Sequence, residues 1–301
     1  MAFDGIILLN KKYGVSSNTA ANDVKWALKR QGIEINKVGH AGTLDPNATG
    51  LLVVLINGGT KLSDFLMLEN KEYIAEVVIG KSYDTDDVFG NLVEEYRLDE
   101  DDFNKIRENV DEVLTNLIGV NKQIPPMYSS IKYHGRKLYE LAREGELVDI
   151  SFKEREIEIL DLKRISDIEY VDNTVVFSIK CLVSKGTYIR TLSKKIGECL
   201  GYPSAMKSLN RTMSGNYRIE NAYDIEDIKV GKFHIENMKS SLRNIKIIQA
   251  NKAIKDKSLN GKKVRLDNVK EDVVAICFED DLLAIYEREE NNIYKAKRVW
   301  N

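Results

Sequence analysis

The spacing of apolar residues changes period several times along the chain, and each change predicts an element. Residues 6–9 form a short apolar run, with Asp4 just upstream. Residues 10–18 read as a loop. Ser16, Ser17 or Asn18 can cap a helix running to about Arg30, with Val24, Ala27 and Leu28 on one face. Residues 39–50 are dense in Gly, Pro, Asp and Asn, which predicts a second loop. The unbroken apolar run 51–56 predicts a buried strand, and Thr60 is placed to cap a short helix through Leu66. Residues 72–79 alternate, setting Tyr73, Ala75, Val77 and Ile79 on one face of a strand. A helix is predicted over 100–117 and strands over 157–165 and 174–183. A further helix opens at Gly186 and Thr187 and carries Ile189, Leu192, Ile196 and Leu200 at helical spacing. Near the end, a helix over 251–259 stops at Gly261, and strands follow at 273–278 and 282–287. Helices and strands mix without a regular βαβ rhythm, so the fold class expected is α+β. The chain divides into a large domain, 1–245, and a small β-rich module, 246–301.

Composition adds that the protein is globular: 43% of its 301 residues are hydrophobic and 31% charged. The net charge of −2 hides an uneven distribution. Between Lys180 and Arg218 stand eight basic residues (180, 185, 190, 194, 195, 207, 211 and 218) against one acid, Glu198. Between Asp84 and Glu112 stand twelve acids against three basic residues. The first stretch predicts a basic face for phosphate. Cys181, Cys199 and Cys277 are scattered and odd in number, as expected of free thiols in a reducing compartment. No His/Cys pair has zinc-ligand spacing and no dinucleotide loop is present, so no metal and no cofactor are expected. The N-terminal apolar run is too short for a signal or a membrane span, which leaves the cytoplasm as the expected location.

Four segments carry candidate chemistry. In Gly39-His40-Ala41-Gly42-Thr43-Leu44-Asp45-Pro46, proline biases Asp45 away from helical geometry and the glycines permit close backbone approach. A carboxylate on a loop anchored by a buried strand suits a nucleophile; an ordinary turn aspartate is the plainer reading. In Lys185-Gly186-Thr187-Tyr188-Ile189-Arg190-Thr191, Arg190 falls in a first helical turn, where it could clamp a carboxylate in two-point geometry or simply be solvated. Tyr73 in Lys71-Glu72-Tyr73 is a core residue or, at a cleft edge, a stacking platform for an unstacked base. The stretch from Pro125-Pro126 to Lys132, followed by Gly135 to Arg143, alternates basic and aromatic residues as a nucleic-acid contact would.

Together and in this order the four segments resemble the TruB family of tRNA pseudouridine synthases. The likeness rests on the Asp45 loop with Ala48-Thr49-Gly50-Leu51-Leu52, and on Lys71-Glu72-Tyr73 with Gly80, Asp84-Thr85-Asp86-Asp87 and Gly90. It rests also on the Pro125-Pro126 segment and Gly186-Thr187-Tyr188-Ile189-Arg190-Thr191. It covers roughly residues 5–220. The chain departs from the family's usual pattern at Lys12, Tyr83, Ser130 and Asn210. The tail from about 246 resembles a reduced PUA-like module.

The resemblance implies a mixed, mainly antiparallel sheet flanked by helices, with a catalytic cleft. It implies isomerisation of uridine 55 in the T-arm of tRNA, with the base flipped from its stack. Asp45 would be the essential ionised carboxylate. Either attack on the sugar or removal of a sugar proton is open to it. Arg190 would orient Asp45 and keep it charged. Tyr73 would stack on the uracil and help take the proton from its carbon. Tyr188 and Leu209 would line the pocket, and His40 would support the opened loop. Lys61, Lys132 and Arg211 would meet phosphates. A monomer with no obligate protein partner is expected. Three other readings share some of these features: the catalytic subunit of an RNA-guided pseudouridine synthase, a noncatalytic tRNA-binding folding helper, and a nucleoside hydrolase using Asp45, against which the basic 180–218 segment favours a polymeric substrate.

Overall fold

A computed structural model describes residues 3–146 and 148–300. Seven strands cross its main sheet: β1 (Gly5–Lys11), β2 (Thr49–Ile56), β3 (Lys71–Ile79), β4 (Gly119–Gln123), β5 (Arg155–Arg164), β6 (Thr174–Val183) and β7 (Ser204–Ser214). Their spatial order is β1-β2-β7-β3-β6-β5-β4. Every neighbouring pair on that path is antiparallel except β2 with β7. Three helices matter for the site: α1 (Ser17–Arg30), α2 (Glu100–Asn116) and α3 (Ile189–Leu200).

β2 reads as a continuous apolar run because both its faces are covered. Leu52, Val54 and Ile56 pack with Ile7, Leu9 and the Val24, Ala27 and Leu28 stripe of α1. Leu51, Val53 and Leu55 face the other way, onto Ala275, Cys277, Leu282, Ile285 and Trp300 of the C-terminal module. β3 alternates because only its Tyr73, Ala75, Val77 and Ile79 face joins the core with α2 and α3. Ser16 caps α1 through the Thr19 amide, and Asp99 and Asp102 form a capping box at the start of α2.

The C-terminal module is a five-stranded sheet of β8 (Lys246–Gln249), β9 (Val264–Arg265), β10 (Val273–Phe278), β11 (Asp281–Glu290) and β12 (Ile293–Val299), ordered β8-β10-β11-β12-β9. Helix α4 (Lys252–Leu259) lies beside it, capped by Asn251. The Trp300 indole N–H donates to Gly58 O at 2.8 Å, tying this sheet to the first.

Several expectations change. β1 runs through Lys11, so the predicted loop at 10–18 shrinks to the residues before Ser16. Thr60 caps no helix: it lies inside a 3-10 turn, Asn57–Leu62, that leads directly into the helical turn Ser63–Leu66. β7 carried no legible period. Bulges at 206–208 and 211–213 break its alternation twice, although it lies in the middle of the sheet.

Candidate active site

Asp45 projects from a loop whose neighbours on both sides are tied down. Ser17 Oγ donates to Leu44 O at 2.9 Å and accepts the Leu44 N–H at 2.8 Å, so one hydroxyl holds both backbone groups of the preceding residue. After Asp45, the Ala48 N–H bonds Asp45 O at 3.0 Å and closes a turn over Pro46 and Asn47. Pro46 O accepts from the Gly14 N–H at 2.9 Å and from Lys11 Nζ at 3.2 Å. Leu44 and Ala48 are buried. The Asp45 side chain, 41% exposed, is left partly open between the exposed Thr43 and Pro46.

Arg190 meets it from the first turn of α3. Its side chain is 5% exposed, and its Nε lies 3.1 Å from Asp45 Oδ2. Nη1 donates to Thr85 O at 3.1 Å and Nη2 to Tyr128 O at 2.9 Å. The two-point clamp expected from the sequence is therefore not made. Nε meets Asp45 as an ion pair, and the fork donates its hydrogen bonds to backbone from two other segments. Through Tyr128 O, the stretch after Pro125-Pro126 enters the site. A second carboxylate, Asp87, lies 3.9 Å from Arg190 Nε and is nearly buried. It accepts from the Phe89 N–H at 3.0 Å and from Thr85 Oγ1 at 2.9 Å. No role was read for Asp87 from the sequence, although the Asp84-Thr85-Asp86-Asp87 run marked it. Desolvation is the main influence on Asp45 and raises its pKa. Arg190 and Lys11 oppose the rise, and Asp87 adds to it.

Sheet register brings the remaining groups together. Lys11 pairs with Gly50, Gly50 with Arg211, Arg211 with Tyr73, and Tyr73 with Cys181, so one row crosses five strands. Residues directly opposite share a face. Gly50, at φ +100°, is needed here because a Cβ would collide with Asn210 and the Arg211 backbone. Arg211 is 1% exposed; its Nε donates to Leu51 O at 2.8 Å and Nη2 to Gly42 O at 3.0 Å. It braces the Asp45 loop from inside the sheet, so the phosphate contact expected of it does not hold. Lys11 Nζ donates to Lys12 O, Val15 O and Pro46 O, and desolvation lowers its pKa to about 8. Tyr73 lies in the core cluster with Leu44 and Leu209. Burial raises its pKa, with the Arg211 guanidinium beside it acting in the other direction.

The other candidates are placed as follows. Tyr188 caps α3; its backbone exchanges hydrogen bonds with the Gln123 side chain at 2.8 and 3.0 Å, and the Arg155 guanidinium lies 5.0 Å from its ring centre. His40 ends a short strand beside β2, with Nε2 3.1 Å from Asn18 Oδ1 and its pKa lowered by burial. Lys132 is exposed on a short hairpin. Lys61 Nζ donates to Val299 O at 2.7 Å, across the junction with the C-terminal sheet. The basic stretch 180–218 is not one open face: Lys180, Arg190, Lys194, Lys195 and Lys207 all pair with carboxylates. Among the described residues no cluster of His, Cys, Asp and Glu could hold a metal, and no helix is long and apolar enough to cross a membrane.

Residues 30–189 match the model of the TruB family pseudouridylate synthase N-terminal domain. The tRNA pseudouridine synthase B of Staphylococcus saprophyticus is 37% identical over 99% of this chain and all of its own length. That of Staphylococcus aureus is 38% identical over the same shares.

This chain belongs to the TruB family of pseudouridylate synthases.

The family match ends one residue before Arg190, but the Staphylococcus relatives extend over the whole site. Two solved structures share the fold. One is an H/ACA RNP bound to a substrate RNA containing 2'-deoxyuridine, with TM-score 0.68 and 20% identity, covering 98% of this chain and 84% of that one. The other is a Cbf5-Nop10-Gar1 complex, with TM-score 0.68 and 21% identity over the same shares. This chain therefore has a pseudouridine-synthase fold, a mixed sheet with flanking helices and a C-terminal sheet of PUA-like form.

Proposed function

We propose that this chain converts uridine 55 in the T-loop of tRNA to pseudouridine, with Asp45 as the essential carboxylate. The Asp45–Arg190 contact carries the reading: a partly open carboxylate, held by a buried guanidinium, on a loop anchored at both ends. The reaction breaks the bond from the sugar to uracil nitrogen and forms one from the sugar to uracil carbon. The ring carbon loses a proton and the nitrogen gains one, so no oxidant and no net water are consumed. Asp45 must be ionised to begin, and Arg190 and Lys11 favour that form. Tyr73 stacks on the flipped uracil. A phenol is protonated at neutral pH and burial raises the Tyr73 pKa further, which favours stacking over a role as resident base. Leu209 and Tyr188 wall the pocket, and His40 supports the loop left behind by the flipped nucleotide. Lys132 meets the RNA backbone. Residues 1–245 form the catalytic unit and 246–301 an accessory one. The protein acts as a monomer in the cytoplasm, without a protein partner or cofactor.

The relatives matched end to end are named as tRNA enzymes, which supports a tRNA substrate over a guide-RNA assembly. The test is pseudouridine mapping on unmodified tRNA incubated with the purified chain alone. Modification confined to the T-loop uridine is expected, with Asp45→Asn binding tRNA yet yielding no product. A requirement for added protein or guide RNA, or full turnover by Asp45→Asn, would overturn the reading.

A further inference from the structure

Two aromatic rings stand in the open where the loops around Asp45 meet. Tyr13 is 56% exposed and Phe89 47% exposed, and their ring centres lie 5.9 Å apart at 52°. Apolar rings of this size are usually covered, so an exposed pair beside a reactive carboxylate calls for a partner. Both rings sit on short, fixed tethers. Next to Tyr13, the Gly14 N–H bonds Pro46 O at 2.9 Å, one residue from Asp45. The Phe89 N–H bonds Asp87 Oδ1 at 3.0 Å, and Asp87 lies 3.9 Å from Arg190 Nε. The contacts form a closed circuit: Asp45, Arg190, Asp87, Phe89, Tyr13, Gly14, Pro46 and back to Asp45. Lys12, beside Tyr13, is exposed as well.

We propose that Tyr13 and Phe89 form a stacking platform for the unpaired RNA base next to the target uridine, with Lys12 close to its phosphate. This rests on the function proposed above. Turning one base out of a stack leaves its neighbour with an uncovered face, and an aromatic surface close to the reacting nucleotide can cover it. Aromatic rings with an adjacent cation make the usual sequence-tolerant surface for unpaired nucleotides. Both rings are exposed, so removing them leaves the buried supports of Asp45 in place.

The test places 2-aminopurine on each side of the target uridine in turn, in a T-arm RNA, and measures fluorescence on binding. The Asp45→Asn background holds the complex before turnover. The platform predicts quenching at one of the two positions, lost when Tyr13→Ala and Phe89→Ala are combined. The dissociation constant should rise by about tenfold, in the range seen for deleted base–aromatic stacks. Tyr13→Phe and Phe89→Tyr should retain both signals, while Phe89→Leu should not. Unchanged quenching in the double variant would overturn the platform. So would full rescue by Phe89→Leu, or a fall in kcat with binding and quenching intact; both would make the pair an apolar brace between loops. Failure of the unsubstituted chain to bind T-arm RNA and form pseudouridine would instead remove the proposed function, and the platform with it.

Discussion

Replacing Arg190 with lysine tests the site most directly, because the change keeps the charge and removes the shape. Arg190 uses three nitrogens in three directions: Nε to Asp45 at 3.1 Å, Nη1 to Thr85 O at 3.1 Å and Nη2 to Tyr128 O at 2.9 Å. A lysine ammonium lies at one point and cannot span three segments. A hydrogen bond to a charged group contributes about 1.5–3 kcal/mol. If the ammonium stays on the carbonyls, the ion pair with Asp45 is lost, and about 1.5 kcal/mol, the low end for a close charge pair because Asp45 is partly exposed, lowers kcat by about tenfold. If it follows Asp45, two carbonyls lose a charged donor, and stability falls by about 3 kcal/mol or more. Arg190 also opposes the rise in the Asp45 pKa. A weaker contact therefore moves the acid limb of the rate profile to higher pH. Tritium release from tRNA labelled at the uracil carbon gives kcat and KM, and urea unfolding gives the stability. At 5% exposure Arg190 is too buried to be a main contact for the RNA backbone, so KM should change little. A kcat within twofold of the unsubstituted enzyme, with the acid limb in place, would refute the positioning role. A selective rise in KM would instead make Arg190 an RNA contact.

Four further outcomes follow, three from the supports of the site and one from the junction between the two sheets. Ser17→Ala leaves the buried N–H and C=O of Leu44 without their shared partner, so kcat should drop at least tenfold with KM little changed; equal kcat would show that the loop holds itself. Activity should fall as pH drops through the raised Asp45 pKa, because the carboxylate must be ionised, and Asp87→Asn should shift that limb downward by removing a neighbouring negative charge. Near pH 8 the Lys11 ammonium loses a proton and has two N–H groups for three carbonyls, so a decline on the alkaline side is expected; an unbroken plateau to pH 9.5 would remove Lys11 from the site. Trp300→Ala deletes a buried indole and its bond to Gly58 O, and should cost about 3–5 kcal/mol in urea unfolding without abolishing turnover at saturating RNA.

Local patterns made much of the fold legible. β3 and α1 each bury one side, so period 2 and period 3.6 survive in their sequences. The run in β2 was also readable, although sequence could not say that α1 covers one face and the C-terminal sheet the other. β7 escaped notice because two bulges interrupt its period and its Lys207 and Arg211 look like surface residues. Lys207 is indeed exposed, paired with Glu76 on the neighbouring strand, but Arg211 is enclosed by the Asp45 loop. The basic stretch 180–218 misled for the same reason, since its partners Asp45, Glu72, Glu76 and Asp86 lie far away in sequence.

The sequence by itself determined the family, the α+β class and the identity of Asp45, Tyr73 and Arg190 as candidates, since each lies in a short motif whose residues are contiguous. Tertiary structure alone decided what those residues touch. It aligned Lys11, Gly50, Arg211 and Tyr73 in one row, placed Asp87 behind Arg190, and turned the phosphate contact expected at Arg211 into an internal support. The physical reason is that hydrogen bonds and charge pairs act over a few ångströms in space, whereas sequence motifs record only neighbours along the chain.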